Sequence, residues 1–350
     1  MAMTDDWREL HATAVVADTH NDLLCAVVAR RPDEWGSYFR QVWLPQLRLG
    51  GVDIQVLPVF VDDVFRPEGA LRQTLRMIEC APRVAAENPR DAALCVTGAE
   101  IDNALSSGRI ALVLALESAP GIGEDVELFR TLQALGVRIA SFAHFGRTAL
   151  ADGSAEDATG GRLTSKGVAA LELLEELGVL VDVSHLGVAG VGHVLEIANR
   201  PVIATHSSAR ALRDHHRNLT DEQIKGIGAT GGLVCVNFFA PFLAESNATL
   251  DVLVDHIEHV VSLIGVDSVG LGPDFIKEVY AETKPAWCEA AGARVLGSPV
   301  RYLDGLEGPA GLPLVTELMV GRGWDPDGVR AVLGGNVLRL FRASFGTEQS

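Results

Sequence analysis

The feature that most restricts what this chain can fold into is a recurrence. Short, β-branched, almost continuously apolar runs alternate with longer segments of helical pattern. Eight such runs occur: VVAD (15–18), VDIQVLPVF (52–60), IALVLALE (110–117), VRIASFAH (137–144), GVLVDVSH (178–185), PVIATHS (201–207), GGLVCVNFF (231–239) and DSVGLGPD (267–274). Strands apolar at nearly every position are buried on both faces, the condition of parallel strands covered by helices. Between them, 163–178, 219–228 and 250–265 read as helices; the first opens on a threonine cap signal and ends at a glycine. Eight such repeats in 350 residues predict a (β/α)8 TIM-type barrel. A doubly wound open sheet is the alternative, but no glycine-rich nucleotide-binding turn follows the first strand.

An average of roughly 150 residues per domain would allow two domains, yet single α/β barrels routinely exceed it. With no internal repeat, low-complexity tract or linker, one domain over 1–350 is expected. The irregular stretch 275–313 is expected to form a lid or extra helices over a site. A net charge of −17 disfavours nucleic acid and anionic membranes as partners. The opening MAMTDDWREL has no basic or apolar leader pattern, and no apolar stretch approaches the ~20 residues of a membrane span. Five scattered cysteines (25, 80, 95, 235, 288), none in CxxC spacing, read as free thiols of a reducing compartment. The expectation is a soluble cytoplasmic protein.

In a barrel, function gathers at the C-terminal ends of the strands. Those ends carry His20 and Asp22 (first), Glu117 (third), His144 (fourth), His185 (fifth), His206 (sixth) and Asp274 (eighth). In "VVADTHND", positions i and i+2 of an extended strand would turn His20 and Asp22 to one face. The six other histidines (11, 193, 215, 216, 256, 259) fall in helical or loop patterns and are expected at solvated surface positions. One strand-end histidine means little, but seven ligand-type side chains from six strands converging on one mouth point to metal. Histidine and carboxylate without cysteine suit zinc, with manganese, cobalt and iron as alternatives. Three histidines and two carboxylates exceed what one four-coordinate ion with an open position can use. They suffice for two ions sharing a carboxylate.

These residues resemble the renal (membrane) dipeptidases, the M19 metallopeptidases of the amidohydrolase superfamily. The similarity rests on His-x-Asp at the first strand, the lone glutamate at the third, "VDVSH", "PVIATHSSAR", "VNFFAPFL", "GLGPD" and "GGNVLRLF", and runs from about residue 12 to 342. It implies two zinc ions, one held by His20 and Asp22, the other by His185 and His206, with Glu117 bridging. It further implies that Asp274 carries the proton from the attacking water to the departing amine, and that His144 hydrogen-bonds the carbonyl oxygen as it becomes an oxyanion. Arg217, in "HHRNLTDEQ", would bind the substrate's terminal carboxylate through a guanidinium fork. The implied activity is hydrolysis of small dipeptides with tolerance of a C-terminal D-residue, and the implied assembly is a homodimer.

The chain departs from the family pattern at the mouth. Ser118 stands where a glycine is common after the bridging glutamate, Pro273 replaces a common serine, and Ile276-Lys277 replaces Asp-Gly. These leave every ligand in place and bear on substrate preference. A specialised amidohydrolase acting on another small amide or a lactam is therefore the alternative, and a non-catalytic metal-binding protein a third reading.

Overall fold

A computed structural model describes residues 6–283 and 302–346. Its centre is a parallel barrel: β1 (Val16–Asp18), β2 (Val52–Phe60), β4 (Ile110–Glu117), β5 (Val137–Ser141), β6 (Leu180–Asp182), β7 (Val202–Ala204), β8 (Leu233–Asn237) and β9 (Val269–Gly272), neighbours in that order. A ninth strand, β3 (Ala92–Leu94), is absent from the sequence expectation. It pairs only with the start of β4 and stands off the barrel path. Three residues are too few to display a strand period.

Where the last strand meets the first, the sheet nearly closes. The Thr19 amide donates to Leu271 O (3.1 Å) and the Asp274 amide to His20 O (2.8 Å), and Asn21 pairs in parallel with Phe275. The predicted second and third strands match β2 and β4 residue for residue and the first ends with β1 at Asp18, whereas the other five end two to three residues early. In four of those five the last residues include a polar side chain that leaves the ladder and turns into the mouth, and in β8 they are Phe238 and Phe239.

Alternation within the strands divides the core. Ile54, Val56, Ala111, Val113, Ile139, Ile203 and Cys235 fill the barrel interior, joined by Phe341 and Phe345 from the C-terminal end of the chain. Burying a side chain of this size contributes roughly 1.5–3 kcal/mol. The intervening positions pack outward against the helices. The predicted helices form, each behind a threonine cap. Thr164 accepts from Gly167 N, Thr220 makes a reciprocal box with Gln223, and Thr249 accepts from Val252 N.

Of the predicted lid, Lys277–Thr283 is a helix and Pro309–Gly311 a 3₁₀ turn, while 284–301 lies outside the described residues. Two of the six histidines expected in solvent are buried instead. His11 bonds Thr316 Oγ1 (2.7 Å) and Gly50 O (3.1 Å). His256 accepts from the Ala209 amide at Nδ1 and donates to Leu243 O from Nε2. Both sit on helix faces turned toward the core, where an imidazole satisfied at both nitrogens is tolerated.

Candidate metal centre at the barrel mouth

Glu117 is the last residue of β4, and the β2–β4 register sets Phe60 beside it. The next residue, Ser118, has φ 69°, a left-handed conformation that glycine adopts freely and other residues at a cost of order 1–3 kcal/mol. The Ser141 hydroxyl holds this turn by accepting the Ser118 amide at 2.8 Å. The glycine common at this position in the resembling family thus has a steric reason, and this chain meets the same geometry with serine. His185 (φ 69°), Asp274 (φ 62°) and Ala119 (φ 41°), which follows Ser118, are also left-handed, so four such residues cluster around one mouth.

Glu117 is the hub. Its Oε1 lies 3.0 Å from His185 Nε2 and 3.7 Å from both His206 Nε2 and His144 Nε2; its Oε2 lies 3.6 Å from His20 Nε2. His20 Nε2 is also 3.9 Å from Asp22 Oδ1 and 4.0 Å from Asp274 Oδ1. All seven strand-end residues therefore meet. His20 and Asp22 converge even though the strand ends at Asp18 and Asp22 already caps the helix Leu23–Val28. A turn does what the extended-strand argument assigned to pleating. Three ligand triads overlap here: His20–Glu117–His206, Glu117–His144–His185 and His20–Asp22–Asp274, the ligand atoms of each within 4.8 Å of one another.

The surroundings fix how these groups point. Asp182, at the end of β6, accepts from the amides of Ser184 (2.9 Å) and Thr205 (3.1 Å) with Oδ1 and from the Thr205 hydroxyl (2.6 Å) with Oδ2. With its proton committed to Asp182, the Thr205 oxygen accepts from His206 Nδ1–H at 2.8 Å, leaving the Nε2 lone pair facing Glu117. Asp18 similarly accepts the His20 amide at 2.9 Å. Gly272 is needed for close approach, because a Cβ there would stand 1.9 Å from Thr205 O. Sequence reasoning missed Asp18, Asp182 and Thr205. The available signal was an aspartate inside an otherwise apolar strand, which must find partners when buried.

Burial dominates the electrostatics. It lowers the imidazoles of His144, His185 and His206 well below their ordinary value and His20 to about 3, so all four are neutral and present lone pairs. Burial and the neighbouring carboxylates push Asp22 and Glu117 well up, and burial raises Asp274 to about 6. Asp22 Oδ1 is buried without a hydrogen-bond partner, and His185 Nε2 and His206 Nε2 stand 2.9 Å apart. Neutral imidazole lone pairs and crowded carboxylates fit divalent cations, which reverse the carboxylate shifts by favouring the charged form.

The pocket above these groups has a polar floor and an apolar wall. Asp22, Glu117, His144, His185 and Asp274 face Phe60, Phe145, Phe239, Phe242 and Ile276 across an open cleft. Arg217 is buried behind this lining. Its Nη1 donates to Ser207 Oγ and its Nη2 to His206 O, its Nε is unpartnered, and its Cζ lies 5.8 Å from the Phe242 ring centre. Lys277 is exposed. Among the described residues no helix is long and apolar enough to cross a membrane.

Comparison with known proteins gives a consistent picture. The sequence model of "Membrane dipeptidase (Peptidase family M19)" matches residues 4–285. An uncharacterized dipeptidase of Schizosaccharomyces pombe is 29% identical over 295 residues, 77% of this chain and 70% of that protein. Among solved structures, a metallopeptidase described as dipeptidase AC of family M19 superposes with TM-score 0.83 at 24% identity, covering 96% of this chain and 100% of that one. A Rhodobacter sphaeroides metallopeptidase liganded with a phosphinate mimic of the dipeptide L-Ala-D-Ala gives TM-score 0.82 at 23% identity, with 95% and 99% covered. At such identities the structures establish the shared (β/α)8 fold.

Proposed function

The chain belongs to the membrane dipeptidase family of metallopeptidases, peptidase family M19, and from that premise we propose that it is a binuclear zinc enzyme hydrolysing dipeptides with apolar side chains. The observation that carries this reading is Glu117, whose two oxygens face His20 on one side and His185, His206 and His144 on the other. This placement supports a bridging role for its carboxylate. His20 and Asp22 would hold one ion and His185 and His206 the other. Bound there, the ions would supply Lewis-acid polarisation of the scissile carbonyl and acidify a water.

The chain's own groups do the rest. Asp274 accepts the proton of the attacking water and delivers it to the departing amine nitrogen. It lines the pocket with one oxygen facing the cluster around Glu117, within reach of a water held there. His144 lines the pocket on the polar floor, where a hydrogen bond to the carbonyl oxygen grows stronger as negative charge develops. Arg217 pairs with the terminal carboxylate, its unpartnered buried Nε supplying a donor. The apolar wall excludes water and favours uncharged substrate side chains. Tolerance of a C-terminal D-residue is supported by the ligand of the Rhodobacter sphaeroides relative.

The test is a panel of Ala-Xaa and Xaa-Ala dipeptides in L,L and L,D forms, with apolar, acidic and basic Xaa, incubated with zinc-loaded protein. Release of free amino acids, fastest for apolar Xaa, is expected. A loaded, folded protein that cleaves no dipeptide would refute the reading.

A further inference from the structure

We propose that Asn237 is a positioning residue for proton transfer, holding the Asp274 carboxylate in one orientation; this rests on the role given to Asp274 above. Asn237 ends β8, is fully buried, and stands in register with Gly272 of β9, two residues before Asp274. Its carboxamide is held at both ends. The oxygen accepts the Phe239 amide at 2.6 Å, and the nitrogen donates to Asp274 Oδ2 at 2.9 Å.

The first contact decides the second. The Phe239 amide can only donate, so the atom facing it must be the carboxamide oxygen, and the NH₂ is thereby forced toward Asp274. Asn237 cannot flip without setting two donors against each other. One oxygen of Asp274 is in this way occupied by a fixed donor. The other, Oδ1, is left 4.0 Å from His20 Nε2, facing the cluster around Glu117. A carboxylate that exchanges a proton at a defined point benefits from having only one oxygen free to do so, because a rotating group spends its time in unproductive poses. The same amide ties the base to the wall: Phe239 lines the pocket and stacks edge-on with Phe242 at 5.0 Å.

The experiment is a double-mutant cycle on the zinc-loaded full chain. Asn237→Leu keeps the side-chain bulk and removes both the donor to Asp274 and the acceptor of the Phe239 amide. Asn237→Ala is made beside it, so that a folded variant lacking the donor is in hand even if leucine strains the strand end. Losing such an orienting contact is expected to lower kcat by roughly 10–100-fold, with KM within about threefold and the zinc content unchanged. In an Asp274→Asn background, Asn237→Leu should cost nothing further, because the proton carrier it serves is already gone. An Asn237 variant with wild-type kcat would overturn the proposal. So would a loss confined to KM, or one of equal factor in both backgrounds, which marks a merely structural role. Should Asp274→Asn itself turn over normally, the role of Asp274 fails first, and that outcome is distinct from an additive cycle on a slow Asp274→Asn.

Discussion

Thr205 offers the most direct probe of how the site holds its metal ligands. Its hydroxyl is the single link between Asp182 Oδ2 (2.6 Å) and His206 Nδ1 (2.8 Å), and it is buried. Thr205→Val keeps the branched shape and deletes the oxygen. Two buried polar groups lose their partner at once, each at about 1–3 kcal/mol, or roughly 2–6 kcal/mol together. Asp182 Oδ1 retains the Ser184 and Thr205 amides, so the strand end itself stays anchored. Part of the cost falls on the fold with or without metal, and the rest on metal binding, because an unanchored His206 no longer presents Nε2 in one tautomer. Outer partners of this kind contribute 10–100-fold in metal affinity or activity, which is about 1.4–2.8 kcal/mol. The assay is competition for zinc against a chelating dye, read beside thermal unfolding of the metal-free protein. Thr205→Ser keeps the hydroxyl and should behave as wild type. Thr205→Val binding zinc within twofold of wild type would refute the claim that this relay orients His206.

Two further outcomes follow from other parts of the structure. If Arg217 pairs with a free carboxylate, C-terminally amidated dipeptides should be cleaved more than about tenfold less efficiently than the acids, and Arg217→Met should narrow that ratio while Lys277→Met leaves it alone. The reverse pattern in kcat/KM would hand the role to exposed Lys277. Burial holds His256 below its ordinary 6.5, so it is neutral in the fold and charges on unfolding. Its stabilising share is therefore present above about pH 6.5 and lost as pH falls through the depressed folded value. His256→Asn, which keeps an acceptor for the Ala209 amide, should flatten the acid decline of Tm relative to wild type, and parallel curves would contradict this.

The barrel was legible because parallel strands buried on both faces leave little but apolar residues. In such strands a terminal histidine or carboxylate stands out, and so His20, Glu117, His185, His206 and Asp274 could be read before any coordinates. Their supports could not. Asp182 and Thr205 look like ordinary polar residues until the β6–β7 pairing brings them together across 23 positions. Asn237 acquires a role only through the register that sets β8 beside β9. The buried His11 and His256 were misplaced for a related reason. Their helical surroundings give a face but not a direction, and the partners that make burial tolerable, Thr316 and Ala209, are far away in sequence.

The central claim is that Glu117 bridges two ions between separate ligand pairs. The measurement that meets it head-on is a titration of metal-free protein with zinc, following bound metal by elemental analysis and dipeptide hydrolysis in the same samples. Binding should level off near two equivalents per chain, and Glu117→Gln should lower both occupancy and turnover. A plateau at one equivalent with full activity would contradict the binuclear account.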